Sequence, residues 1–425
     1  MFKKFEKLSE KILPLAGKLG QNRYLIVLRD AFMMAFPLTM FGSIVTILTN
    51  IPFFPDEWNQ IITAFFGNAV NATMLIMTVF VTFGIGYYLT ESFHEEGPFG
   101  GVVALSSFLI LTPFLEIEGG DGTVGLSLQH LGAEGMFVGM ITGFLAGRIY
   151  VAMVKTGITI KLPEQVPSAV SKSFAAIIPA VVTLTIFVTI NAIITLGFNT
   201  DLHTEIFKWI QAPLVALGSG LVPTLIAIFF IQILWFFGLH GQIIVNSVMD
   251  PIWNTLTFEN LTAYTSGEAP SHIVNKQFIE IFTVGIGGTG MTLIVIIMLA
   301  FLAKSKQLKQ VGRLAIAPGI FNVNEPIIFG LPIVLNPTIM IPWILAPMVV
   351  TTVTYFAMST GLVPLTTGVA VPWTLPAFFS GMLATNSIRG GILQLVNIAI
   401  VGLIWYPFIK ALDKVQLSEE YPTEL

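Results

Sequence analysis

The chain has 425 residues, of which 54% are hydrophobic and only 10% are charged, and its mean hydropathy is +0.83. Soluble domains carry about 25% charged residues, so this composition excludes an ordinary soluble protein and predicts an all-α polytopic membrane protein. The absence of cysteine excludes disulfides, a thiolate nucleophile and cysteine metal ligands. The net charge of −4 comes with no basic stripe, and we expect no nucleic-acid partner, no metal and no cofactor.

The first twenty residues have an amphipathic pattern. Apolar residues recur at three- and four-residue spacing over residues 1–20, and lysines lie between them. The pattern predicts an interfacial helix on the cytoplasmic side, with a disordered basic tail as the alternative. We expect no cleavable signal peptide, because the apolar run that follows is too long and lacks an obvious cleavage site.

Charged clusters set the expected orientation of the spans. Basic residues near 148–172, 304–313 and 410–414 are typical of cytoplasmic loops, whereas the loops near 56–57 and 116–121 are acidic and fit the outside. Both termini are then cytoplasmic, which requires an even number of crossings. We predict about ten transmembrane helices, near residues 28–50, 72–90, 99–116, 133–153, 174–199, 221–238, 240–256, 279–303, 337–358 and 391–411.

Two further segments, 314–335 and 362–385, are rich in proline and glycine and are predicted to form re-entrant hairpins. The mixed segment 201–220 is typical of a short interfacial helix and marks the expected domain boundary. Residues 1–200 would form a scaffold of ordinary spans. Residues 221–425 would form the functional domain, because nearly all of the unusual polar residues lie there.

Glu325 is the only charged residue between Leu314 and Ile388. A charge at this depth costs roughly 3 kcal/mol on insertion scales, so it must face protein or a wet cavity. Asn322 and Asn324 flank it, and amides and carboxylates are the usual partners of sugar hydroxyls. Burial would also raise the pKa of such an acid and suit it to act as a base. The alternative is a structural acid paired with a base that the sequence does not identify.

His240 is a second isolated ionisable residue, in an uncharged stretch that runs from Trp209 to Met249. Gly238 and Gly241 flank it, which would let backbone approach a ligand, and Gln242 follows. We predict a binding role for His240 and Gln242. The alternative is a histidine that is satisfied within the core.

Two other features are candidates for the same site. Trp373, between two prolines of the second predicted hairpin, could stack on a sugar ring or lie in an interfacial aromatic belt. The segment Gly285–Gly290 matches the dinucleotide pattern GxGxxG, but no strand–helix unit surrounds it, so we reject that function. Close helix packing explains the glycines, or an unwound backbone that presents polar groups to a ligand.

The run from Phe236 to Gly241 (FFGLHG) and the run from Phe321 to Gly330 (FNVNEPIIFG) resemble one family. They are similar to membrane IIC subunits of the bacterial phosphotransferase system, in the lactose/cellobiose/diacetylchitobiose branch, and the resemblance covers nearly the whole chain. It implies a permease in the bacterial cell membrane that binds a β-linked disaccharide from outside and moves it inward. The sugar 6-hydroxyl is then phosphorylated by a phosphocysteine on a separate IIB protein, which fits the lack of cysteine here.

The resemblance also implies roles for individual residues. His240 and Glu325 would hold the 6-hydroxyl, with Glu325 as the base, while Trp373 would stack on the sugar. Family members are homodimers through the N-terminal half and are thought to move the C-terminal half in an elevator manner. The full set of candidate sugar-site residues is His240, Gln242, Gly288, Thr289, Asn322, Asn324, Glu325 and Trp373.

Two other functions remain open from the sequence. A proton-coupled secondary sugar transporter could use Glu325 to carry the proton, since such carriers also place acids on broken helices at mid-membrane. An intramembrane enzyme could use His240 and Glu325 together. A permease of this kind takes part in the phosphorylation of the sugar, but the phosphocysteine that donates the phosphoryl group is on the separate IIB protein.

Overall fold

The computed structural model describes residue 18 and residues 21–49, 55–116, 122–163, 165–283, 285–331, 333 and 336–420. The predicted amphipathic helix at residues 1–20 therefore lies almost entirely outside the described residues. Residues 21–216 form one compact unit and residues 217–425 another. The structure confirms the predicted all-α class.

Five of the described helices are long and apolar enough to cross a membrane. Several other predicted spans are short or broken helices, so the total of about ten crossings stays a prediction. The five helices are Arg23–Thr49, Ala133–Lys155, Ser168–Gly197, Thr338–Ser359 and Ile388–Glu420.

The unit 21–216 consists of nearly continuous helices with small residues at their contacts. Gly86 in one helix lies against the next, where an added Cβ would fall 2.4 Å from the Ala104 Cβ. Such close packing is typical of helices in membranes. The helices are α1 (Arg23–Thr49), α2 (Asp56–Phe66), α3 (Met77–Glu91), α4 (Gly97–Leu111), α5 (Leu128–Leu131), α6 (Met136–Lys155), α7 (Ser168–Ala192), α8 (Leu202–Ile206) and α9 (Ala212–Gly218).

One part of this unit differs from the sequence prediction. The span predicted at 99–116 ends at Leu111, and the next residue, Thr112, is extended because it precedes a proline. Beyond it, β1 (Phe114–Glu116) pairs antiparallel with β2 (Val124–Leu126), and Leu115 lies opposite Gly125. The span predicted at 99–116 is therefore shorter than expected, and its last residues form one strand of this short hairpin.

The unit 217–425 contains interrupted helices. Its core joins residues of five helices around Trp343 and Trp405, both fully buried. The α-helices of the whole unit are α10 (Leu221–Phe236), α11 (Gly241–Thr265), α12 (Leu293–Leu302), α13 (Lys306–Ile320), α14 (Glu325–Gly330), α15 (Pro337–Ser359), α16 (Phe379–Thr385) and α17 (Ile388–Glu420).

Three predicted elements of this unit have different bounds. The polar span near 240–256 extends to Thr265 as α11. The span near 279–303 is broken into a π-helical turn, Phe278–Thr283, and α12. The basic run expected to be a loop at 304–313 is instead mostly the first part of α13, because carboxylates from α17 satisfy the free N–H groups at its start. Asp413 accepts from the main-chain N–H of Ser305 at 2.8 Å, and Glu420 accepts from that of Gln307 at 2.9 Å.

Both segments predicted as hairpins depart from continuous helix. The first is α13, a turn and then α14, and the turn contains Asn322 with φ +64°. In the second, the chain has no helix from residue 362 until α16 begins at Phe379. Buried backbone of this kind needs hydrogen-bond partners from the protein, and buried carboxamides supply many of them.

Candidate functional site

Glu325 is the first residue of α14, and Asn324 is the residue that caps this helix. The carboxylate is exposed, and it forms no ion pair with a Lys or Arg in the described part of the chain. A carboxylate at a helix N-terminus is favoured by the helix dipole. Glu325 is thus held in place by its position in the backbone, while its oxygens remain free to accept hydrogen bonds from a ligand.

His240 connects α10 to α11. The preceding turn contains Gly238 at φ +80°, and a Cβ on Gly241 would fall 2.0 Å from the Ile231 carbonyl oxygen, so both glycines are required. The His240 Nδ1 accepts from the main-chain N–H of Ile243 at 3.3 Å and caps α11. In the neutral ring the proton is therefore on Nε2, which is available as a donor.

Two neighbouring residues act on the His240 ring. The Trp235 ring lies against it, with ring centroids 4.4 Å apart. The Glu325 carboxylate acts on it electrostatically, so the two isolated ionisable residues of the sequence lie in one region. The two residues are 85 positions apart in the chain and lie in the same unit, residues 217–425.

Asn322 joins three segments of the site. Its Oδ1 accepts from the main-chain N–H of Gly287 at 2.6 Å, and its Nδ2 donates to the carbonyls of Trp373 at 2.5 Å and Leu375 at 3.1 Å. The side chain is buried, and both of its Nδ2 protons are used. Asn322 therefore ties the glycine-rich turn and the second hairpin segment to the first.

Asn324 makes a second link to the same turn. Its Nδ2 donates to the Thr289 carbonyl at 2.7 Å and to the Thr292 Oγ1 at 2.9 Å. The turn can approach this closely because a Cβ on Gly288 would fall 2.3 Å from the Asn324 Cγ. A Cβ on Gly290 would fall 2.4 Å from the Trp343 ring. The GxGxxG segment is thus an unwound turn that packs closely, and its backbone bonds to Asn322 and Asn324.

Trp373 lies in the non-helical second hairpin segment, with 48% of its surface exposed. Carboxamides fix the backbone on either side of it. The Gln277 Oε1 accepts from the main-chain N–H of Val371 at 2.9 Å, and the Gln394 Oε1 accepts from that of Phe378 at 2.8 Å. Gln242 lies partly buried in the first turn of α11.

Sequence reasoning missed several residues that support the site. Gln232, Thr292, Trp343 and Gln394 are all buried and hydrogen-bonded to its backbone or side chains. The two glutamines carried a signal in the sequence, because a glutamine in an apolar span such as α10 is costly unless it is hydrogen-bonded.

An ion cluster of this unit was also missed. The Lys276 Nζ lies 2.5 Å from the Asp250 Oδ1 and 3.2 Å from the Glu280 Oε1, and all three side chains are mostly buried. Asp250 lies on α11 and turns toward Lys276, which gives this polar residue of the predicted span a partner. The sequence placed Lys276 in a loop and so gave no reason to pair it with a residue of α11.

A helical membrane protein with broken spans presents here an exposed carboxylate, an imidazole donor and an indole ring, all within residues 217–425. These features define a membrane carrier with a polar site suited to a hydroxylated ligand. Comparison with known proteins agrees with that class. Residues 29–347 match the family model described as "Phosphotransferase system, EIIC". The chain belongs to this family.

Individual relatives match over almost their full length. The oligo-β-mannoside-specific EIIC component of Bacillus subtilis (strain 168) is 62% identical, over 98% of this chain and 96% of that protein. The cellobiose-specific EIIC component of Geobacillus stearothermophilus is 39% identical, over 97% and 95%. The crystal structure of the transporter ChbC, the IIC component of the N,N'-diacetylchitobiose-specific system, matches with a TM-score of 0.89 and 38% identity, covering 97% of this chain and 99% of that one. The family expected from the sequence is confirmed.

Proposed function

We propose that this chain is the sugar-specific permease of a phosphoenolpyruvate-dependent phosphotransferase system and that it moves a β-linked disaccharide or short oligosaccharide inward. The observation that carries the proposal is the grouping of His240 and Glu325 on broken backbone beside exposed Trp373. The sugars in the names of its relatives, oligo-β-mannoside, cellobiose and diacetylchitobiose, are all β-linked, which supports that substrate class.

The chemistry follows from the two polar groups. The His240 Nε2–H donates to the oxygen of the sugar 6-hydroxyl, while the Glu325 carboxylate accepts its proton. The freed oxygen attacks the phosphorus of a phosphocysteine on a separate IIB protein, the P–S bond breaks, and the thiolate leaves. The sugar ring stacks on Trp373, and Asn322 acts mainly by holding Trp373 in position.

Transport is proposed to be of the elevator type. The division of the chain into two compact units supports it, since every candidate sugar-site residue lies in residues 217–425. In this proposal residues 1–200 are the scaffold of a homodimer, residues 201–220 connect the two parts, and both termini are cytoplasmic. The two proline-rich segments would enclose the sugar during the movement.

The first test substitutes Glu325→Gln. The amide keeps a hydrogen-bonding oxygen but cannot take the proton, so phosphorylated uptake should fall about 10²–10⁴-fold. Sugar affinity should change only a few-fold. Purified protein in vesicles would be given radiolabelled cellobiose or mannobiose with phosphorylated IIB, and binding would be measured separately.

Glu268→Gln is the matched control, because Glu268 is an exposed acid of the same unit outside the site. Normal phosphorylated uptake by the Glu325→Gln variant would remove Glu325 as the base. Accumulation of free sugar driven by a pH gradient would favour the proton-coupled transporter instead, and sugar turnover without transport would favour an intramembrane enzyme.

The second test substitutes Trp373→Ala. The lost ring contact should weaken sugar binding by about 1–3 kcal/mol, with a smaller effect on the rate of phosphorylation at saturating sugar. Equilibrium binding of the same sugars measures the effect. Trp58→Ala serves as the control, since Trp58 is similarly exposed but lies in the unit 21–216. Unchanged affinity of the Trp373→Ala variant would place the ring outside the site.

A further inference from the structure

Gln232 is the only carboxamide in the apolar helix α10, and it is fully buried. Its Oε1 has no hydrogen-bond partner within the described residues. A buried amide that is not fully bonded lowers stability relative to an apolar side chain of the same size. The residue is therefore poorly explained by packing alone.

The contacts of Gln232 lead to the Glu325 side of the site. Its Nε2 donates to the Thr289 Oγ1 at 3.4 Å. The carbonyl of Thr289 accepts from the Asn324 Nδ2 at 2.7 Å, and Asn324 immediately precedes Glu325. The main-chain carbonyl of Gln232 also accepts from the Trp343 Nε1 at 3.0 Å, and the Trp343 ring packs on Gly290 of the same turn.

The helix that carries Gln232 leads directly to His240. The end of α10 is fixed by main-chain bonds from Gly238 to Trp235 at 2.9 Å and from Leu239 to Leu234 at 3.0 Å. The Trp235 ring, one turn after Gln232, contacts the His240 ring. The last turns of α10 therefore contact the segments that carry both polar groups of the site.

We propose that Gln232 is a positioning residue that sets the distance between the His240 imidazole and the Glu325 carboxylate. It does so through Thr289 and Asn324 and does not touch the sugar. The inference rests on the proposed function, because only the joint action of His240 and Glu325 on one hydroxyl requires that distance. A displacement of about 1 Å in such a pair lowers a rate by roughly 100-fold.

The test substitutes Gln232→Met, which keeps the length and volume of the side chain and removes both polar atoms. Sugar affinity of the purified protein should stay within about threefold of the wild type. The rate of phosphorylated sugar formation with phosphorylated IIB should fall about 10–100-fold at saturating sugar. Gln232→Asn, which keeps the amide but is too short to reach Thr289, should show the same separation of rate from affinity.

Gln211→Met is the matched control, because Gln211 is also fully buried but lies in the unit 21–216. A rate within twofold of the wild type, a proportional loss of rate and affinity, or failure of both Gln232 variants to fold would overturn the inference. If the wild type forms no phosphorylated sugar, the proposed function fails and the inference falls with it. If the wild type forms phosphorylated sugar and the Gln232 variants do so at the same rate, the proposed function stands and the inference about Gln232 is wrong.

Discussion

The two compact units satisfy their buried polar groups in different ways. In residues 21–216, several buried hydroxyls, such as those of Thr46 and Ser107, donate back to a carbonyl of their own helix. In residues 217–425, eight asparagines and glutamines are buried, against only Gln211 among the described residues of the other unit. Most of these amides bond to segments far away in sequence, as Asn322 does to Gly287 and Trp373.

The difference follows from the state of the backbone. In a continuous helix the interior N–H and C=O groups already bond to one another. Its polar side chains are therefore not needed as partners for the backbone, and a buried hydroxyl can bond to a carbonyl of its own helix. Where a span is interrupted, free backbone groups need outside partners, and a carboxamide can donate and accept at once. The unit that carries the site therefore depends on individual side chains in a way that the helical unit does not.

The substitution with the largest expected effect on this contrast is Asn322→Ala. The change leaves the Gly287 N–H and two carbonyls without a partner and places alanine at φ +64°. We expect a loss of about 3–6 kcal/mol in the free energy of unfolding. If the protein stays folded with these segments displaced, the loss appears as weaker sugar binding instead. Thermal unfolding of the detergent-purified protein and equilibrium sugar binding would measure it.

Two variants separate the causes of this effect. Asn322→Gly removes the same hydrogen bonds but adopts this positive φ without strain, so it should recover only about 1–2 kcal/mol of the loss. Asn199→Ala makes the same change at an exposed asparagine with φ +50° in the other unit, and should cost only that strain. Equal effects at Asn322 and Asn199 would contradict the comparison.

The next test uses a buried histidine of the unit 21–216. His203 lies in α8, outside the five long apolar helices, and contacts the His130 ring at 4.6 Å. The Thr112 hydroxyl donates to the Phe108 carbonyl, so the His203 Nε2–H must donate to the Thr112 Oγ1, at 3.1 Å. Burial and, to a smaller extent, the neighbouring His130 lower the pKa of His203 to about 4, while Asp201 opposes both.

The sign of the pH dependence follows from this pKa. Between about pH 6.5 and 4 the unfolded chain binds a proton at His203 and the folded chain does not. The free energy of unfolding should therefore fall as the pH is lowered through this window, by up to about 3 kcal/mol. His203→Asn should remove that part of the acid sensitivity, as followed by melting temperature against pH. His94→Asn, at an exposed loop histidine, should retain it, and identical pH profiles for the two variants would rule out the assignment.

The sequence predicted those parts of the site that stand out locally. Glu325 and His240 could be identified because each is an isolated ionisable residue in an apolar stretch, and the helical class followed from composition. The partners of Asn322 could not be predicted, since they lie 35 and 51 residues away and share no local pattern with it. The start of α13 was missed because its lysines suggested a loop, while the carboxylates that cap it lie on α17. Contacts between distant segments decide these features.

The smallest expected effects come from one substitution made in both units. Thr183 and Thr292 are both fully buried, and valine has nearly the same shape as threonine. The Thr183 hydroxyl donates at 2.7 Å to the Pro179 carbonyl of its own helix, so Thr183→Val should change stability by no more than about 0.5 kcal/mol. The Thr292 hydroxyl donates to the Gly287 carbonyl at 2.5 Å and accepts from the Asn324 Nδ2 at 2.9 Å. Thr292→Val leaves both without that partner and should cost about 1–3 kcal/mol, measured as a shift of thermal unfolding beside the wild type. If the two valine variants melt together, the broken backbone of residues 217–425 does not depend on its buried polar side chains in the way argued here.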